Sequence, residues 1–167
     1  DDSIHSGAIQ MLVEAMDQLP PELGLMDMGA GLGLAAFAAA TRGRRTLALD
    51  PDSRAVAAMS AALNLNGPDL RRRVFPRHWD PSAEAAALEA AAKSFAFGAV
   101  RIASSVPTEA ALTAARTVLA GQPFPRLVLI EGTECSTPVA PVTLAGYALA
   151  KHGVGFALYE TQQSQPI

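Results

Sequence analysis

The residues of this chain best placed to do chemistry are Asp27-Met28-Gly29-Ala30-Gly31-Leu32-Gly33, together with Asp50, seventeen positions after the last glycine. An apolar run leads into the glycines and an alanine-rich stretch leaves them. Glycines at such a strand-to-helix turn let the backbone approach a ligand closely. An acid closing the next apolar run can accept hydrogen bonds from both hydroxyls of a ribose. The combination points to a nucleotide-bearing cofactor on the rim of a Rossmann-like sheet, with Asp27, Gly29, Ala30, Gly31, Gly33, Asp50 and Pro51 as candidate contacts. A dinucleotide fingerprint, G-x-G-x-x-G/A, would need a small residue where Leu34 stands, so the spacing disfavours a nicotinamide cofactor.

His78, Trp79 and Asp80 follow a third apolar segment and fall on the same rim. Trp79 could stack on the cofactor's base and Asp80 could accept its amino group. The alternative is a helix N-cap at Asp80 beside a partly buried tryptophan. Ser104 and Ser105 have no identified base and do not make a nucleophile. Cys135, the sole cysteine, has Glu134 and Ser136 as neighbours, with nothing cationic to lower a thiol pKa, and reads as structural. His5 and His152 lack partners at ligand spacing, so no metal site is expected. Arg71-Arg72-Arg73 reads as a solvated loop, with an anion or partner contact as the alternative.

The elements that must position these residues follow from periodicity and turn chemistry. Ile9, Leu12, Val13, Met16 and Leu19 recur at helical spacing and stop at Pro20-Pro21. Strands are expected at 23–28, 46–49, 74–75, 97–103, 127–131 and 155–159. Helices are expected at 32–42, from the Asp52 cap to 64, from 80 to about 93, at 108–119 and at 142–151. Gly43, Gly67-Pro68, Gly121 and Gly153 mark helix ends. Alternating strands and helices with near-continuous apolar strands imply an α/β fold: a Rossmann-like, mostly parallel sheet with helices on both faces.

With 167 residues, half of them hydrophobic, the chain reads as one packed domain without repeat or linker. A net charge of −3 argues against a broad nucleic-acid surface. No apolar run is long enough for a membrane span, and no signal peptide is visible. A soluble, intracellular protein is the expectation. Because the sequence opens at Asp1, an upstream targeting segment is left open.

The D-M-G-A-G-L-G loop resembles the S-adenosylmethionine loop of class I methyltransferases, and several segments resemble their FkbM-type O-methyltransferase family. These are A-L-D-P-D at 48–52, N-L-N-G at 64–67, Arg101-Ile102, Leu119-Ala120-Gly121 and P-R-L-V-L-I-E at 125–131. The resemblance implies S-adenosylmethionine as cofactor, Asp50 on its ribose, and Asp27 either ordering the loop or reaching the methionine end. It implies methyl transfer to a hydroxyl, of an acceptor the sequence does not identify. The chain departs from the family after its fourth strand, where a K-I-D-x-E-G-x-E pattern is replaced by Arg101-Ile102-Ala103-Ser104-Ser105-Val106-Pro107-Thr108. Acid–base help of the family's kind is missing there. Two readings follow: a methyltransferase, or a catalytically weak or inactive module of that fold with a protein partner.

Overall fold

Four strands are buried along their whole length: β1 (Gly24–Met28), β2 (Thr46–Asp50), β4 (Phe97–Ile102) and β5 (Leu127–Glu131). Such strands need helices on both faces, and the computed structural model supplies them. It describes residues 2–81, 85–122, 124–132 and 144–162, without the side chains of 2–6 and 85–87. The helix expected at 142–151 begins outside that description, as does Cys135 with its neighbours.

The sheet has seven strands in the order β3-β2-β1-β4-β5-β7-β6, where β3 is Val74–His78, β6 Tyr147–Gly153 and β7 Phe156–Thr161. Strands β1 to β5 are parallel, whereas β7 is antiparallel to both β5 and β6. The strand order reverses direction beside β1, between β2 and β4. In open α/β sheets ligands bind at such a switch point, outside the carboxyl ends of the strands.

Side-chain alternation divides the core. Leu25, Ala99, Leu127 and Leu129 face α1 (Asp2–Met16) and α2 (Leu34–Thr41), with Ile9, Leu12, Val13 and Met16 forming the expected buried stripe of α1. Met26, Met28, Val100, Ile102, Val128 and Ile130 face the other way. There they share a cluster with Leu88 of α5 (Ala85–Ala92) and Leu112 and Val118 of α6 (Thr108–Val118). Helix α3 (Ser53–Leu65) packs Met59 and Leu63 against Ala36, Ala40, Ala48 and Val74. Its cap is the expected one: the Asp52 carboxylate accepts the Arg54 backbone N–H at 2.9 Å.

Two expectations need correction, and a third gains an addition. The segment 147–153, read as part of a helix because alanine and leucine favour one, is strand β6. It pairs with β7 across a two-residue connection, Val154-Gly155, and Gly155 takes a positive φ of 79°. Pairing with β7 satisfies the backbone polar groups that a helix would have satisfied internally, and tertiary pairing outweighs propensity. The sheet thus has seven strands rather than six. Gly67-Pro68 ends α3 but immediately opens a short helix, α4 (Pro68–Arg71), for which proline is a good first residue.

Candidate functional site

The glycine loop leaves β1 at the switch point, and each glycine is required there for a different reason. Gly29, Gly31 and Gly33 have φ of 87°, 57° and 92°, a region that side chains disfavour. A Cβ on Gly29 would lie 2.5 Å from Val106 Cγ2 and 2.9 Å from Ala103 Cβ, so the loop is pressed onto the segment after β4. On Gly33 it would meet the Phe37 ring at 2.9 Å. On Gly31 it would meet nothing within 4 Å, so this glycine faces open space.

Hydrogen bonds from β2 hold the loop in place. The backbone N–H groups of Gly29 and Ala30 both donate to the Leu49 carbonyl, at 2.8 and 2.9 Å. The Gly31 N–H donates to Asp50 Oδ2 at 2.7 Å, and the Asp52 N–H to Asp50 Oδ1 at 2.8 Å. Asp50 thus clamps the loop through backbone donors, and it makes no ion pair among the described residues. A carboxylate has about four acceptor sites, so two such bonds leave capacity for a ligand's hydroxyls. His78 Nε2 lies 2.9 Å from the Pro51 carbonyl oxygen, bringing the end of β3 to the same rim.

Trp79 lies deeper than the rim residues around it. Its backbone N–H donates to the Asp50 carbonyl at 3.0 Å, but the residue is only 5% exposed and belongs to the main apolar cluster. That burial is what the buried-tryptophan reading expects. Asp80 beside it is exposed. The residues brought together are therefore Asp27, Gly29, Ala30, Gly31, Gly33, Asp50, Pro51 and His78.

Sequence reasoning missed the ion cluster beneath the loop. Asp27 and Arg101 are register partners on β1 and β4, and Arg101 lies opposite Leu129, two residues before Glu131 on the same face of β5. Arg101 donates from Nη1 to Asp27 Oδ1 at 2.7 Å. It grips Glu131 in a fork, Nε to Oε1 at 2.8 Å and Nη2 to Oε2 at 3.0 Å. All three residues are buried, and Asp27 Oδ2 has no hydrogen-bond partner among the described residues. A signal was present: one charge in each of three apolar strands, which burial obliges to pair.

Burial pushes the Asp27 carboxyl above its ordinary value. The nearby Arg101 offsets only part of that rise, while the charges of Glu131 and Asp50 add to it. Burial opposes the charge of Arg101 too, but attraction to Asp27 and Glu131 outweighs it, so the guanidinium is held protonated. At the β4 mouth, Ala103 is buried and Ser105 exposed, and the Ala103 N–H donates to the Met28 carbonyl at 2.9 Å. With both its oxygens on Arg101, Glu131 is committed rather than poised as a base. Among the described residues no group of His, Cys, Asp and Glu is arranged to hold a metal, and no helix is long and apolar enough to cross a membrane.

No protein-family model and no curated protein sequence matches the chain. Solved structures do. The glycopeptide N-methyltransferase MtfA complexed with S-adenosyl-L-methionine is similar over 93% of this chain and 66% of its own, less than two thirds of its length. That alignment has 19% identity and a TM-score of 0.56. The magnesium protoporphyrin IX methyltransferase ChlM from Synechocystis PCC 6803, with bound S-adenosylhomocysteine, is similar over 96% of this chain and 84% of its own. Here the identity is 14% and the TM-score 0.62. At these identities the likeness is one of fold: this chain has the architecture of class I methyltransferases.

Proposed function

We propose that this chain binds S-adenosylmethionine at the carboxyl ends of β1, β2 and β4. The observation that carries the reading is the Asp50 carboxylate closing on the Gly31 N–H beside an open glycine face, in a fold whose solved neighbours include one holding that cofactor. The residues fit the group. Gly31 and Ala30 give backbone access, Asp50 has acceptor capacity for the ribose, and Asp27 has a buried oxygen still lacking a partner. Pro51 and His78 border the same rim.

When bound, the cofactor supplies a methyl group already activated by its sulfonium. What remains for the protein is alignment and exclusion of water. The loop, locked by Leu49 and Asp50, is preorganised for the first task. Removal of the acceptor's proton is less well provided for. Ala103, Ser104 and Ser105 stand at the β4 mouth, Glu131 is tied to Arg101, and Glu109 is exposed in the first turn of α6.

Two readings of the activity therefore stand: O-methyl transfer of the FkbM type, and a catalytically weak or inactive module that keeps the cofactor site while acting through a protein partner. The second is favoured by the committed state of Glu131, since missing acid–base help costs about 10²–10⁴-fold in rate. Titration calorimetry with S-adenosylmethionine tests the shared premise, and labelled-methyl transfer to small hydroxyl compounds separates the readings. Robust turnover that disappears in Asp50→Ala would establish the enzyme.

A further inference from the structure

Of the five charged residues buried in the described structure, four lie at the carboxyl ends of neighbouring strands: Asp27, Asp50, Arg101 and Glu131. Three are acids and one is a cation. Arg101 spends its Nε and Nη2 on Glu131 and gives Asp27 a single N–H, while Asp50 is held by neutral backbone donors. Asp27 Oδ2 is buried and has no hydrogen-bond partner among the described residues. A carboxylate kept from water with one oxygen unpaired is costly unless it takes up a proton or positive charge arrives from elsewhere.

We infer that the Asp27–Arg101–Glu131 cluster makes the cofactor site charge-selective, favouring the cationic sulfonium over its neutral demethylated product. The inference rests on the cofactor reading above and goes beyond it by assigning Arg101 and Glu131, neither of them a rim residue, a part in ligand discrimination. They are positioning residues: Arg101 fixes Asp27 Oδ1 and Glu131 fixes Arg101, leaving a net negative charge near the carboxyl ends of β1, β4 and β5. Burial also raises the Asp27 pKa, as expected of a carboxylate whose charge is under-compensated. Methyl transfer from a bound sulfonium would leave sulfur neutral, with the C–S electron pair kept by sulfur, the methyl on the acceptor and the acceptor's proton released to water. A site that prefers the cation therefore loosens its hold once transfer is complete.

The test is the ratio of the affinities for S-adenosylmethionine and S-adenosylhomocysteine, by calorimetry on the full chain at low and at moderate salt. The two ligands differ by one methyl group and one charge, so general damage to the site cancels in the ratio. Neutralising Asp27→Asn should move the ratio toward S-adenosylhomocysteine by roughly tenfold, the size of a unit-charge interaction across a partly buried site. Glu131→Gln should move it the same way by less. Arg101→Lys keeps the charge and should leave the ratio alone, even where both affinities fall. A ratio unchanged to within about twofold in both neutral variants overturns the inference, as does an equal shift in the charge-preserving one. Wild-type protein that binds neither ligand overturns the cofactor reading instead, a separate result.

Discussion

Two buried arginines, at opposite ends of one sheet, do different things with the same side chain. Arg44 and Arg101 are 6% and 7% exposed. Arg44, just before β2, donates among the described residues only to backbone carbonyls: Met16 and Leu19 through Nη2, Pro20 and Leu23 through Nη1, at 2.5 to 3.1 Å. These belong to the end of α1 and the turn after it, where helix carbonyls lack partners. Among the described residues Arg101 donates only to carboxylates. One stitches a helix end to the sheet with neutral acceptors; the other holds fixed charge under a ligand site. The difference teaches that burial of a cation does not by itself mark function, whereas the kind of acceptor does.

The sharpest way to break the comparison is to remove each cation without changing its bulk. Arg101→Met leaves two buried carboxylates without their shared partner and should cost about 3–5 kcal/mol at neutral pH. Without the cation Asp27, whose pKa burial already raises, is more readily protonated in the folded state, so its penalty shrinks as pH falls. The gap from wild type in urea melts should close toward about pH 4. Arg44→Met should cost about 2–3 kcal/mol, with a gap independent of pH, because carbonyls do not titrate. Equal pH dependence in the two variants would erase the distinction.

Ligand binding sharpens it further. S-adenosylmethionine at a hundred times its dissociation constant should stabilise the protein by about 2.7 kcal/mol. That is a melting shift on the order of 5–11 °C for a domain of this size, with no shift from NADH. Arg44→Met should keep the shift. Asp50→Ala removes charge-assisted bonds worth about 1.5–3 kcal/mol, so affinity should fall roughly 10- to 150-fold by calorimetry. Unchanged affinity in a folded Asp50→Ala protein would reduce Asp50 to a loop clamp.

The smallest effect concerns Asp27. A carboxyl whose folded pKa is raised contributes stability that is fully present below its unfolded value and lost as pH rises through its folded value. Wild-type stability should therefore carry an acid-range decline from this group, upward from about pH 3.8. Asp27→Asn should flatten that part of the profile. An identical slope in both proteins would show that Arg101 fully compensates Asp27, contrary to its pKa direction.

Local chemistry made much of this legible from the sequence. Apolar runs of strand length, the Asp52 cap, the glycine turn and the acid closing β2 are each specified within a few residues, and each stands where periodicity and turn preferences place it. What only the tertiary structure decided depends on which distant segments become neighbours. Residues 147–153 carry helix-favouring alanine and leucine, yet become an edge strand because β7 folds back across Val154-Gly155. Trp79 turns into the core because an apolar cluster from both halves of the chain receives it. The ion cluster required Asp27, Arg101 and Glu131, far apart in sequence, to share one face in register across three strands. A sequence states that such charges must be paired if buried; only the register of the sheet states with whom.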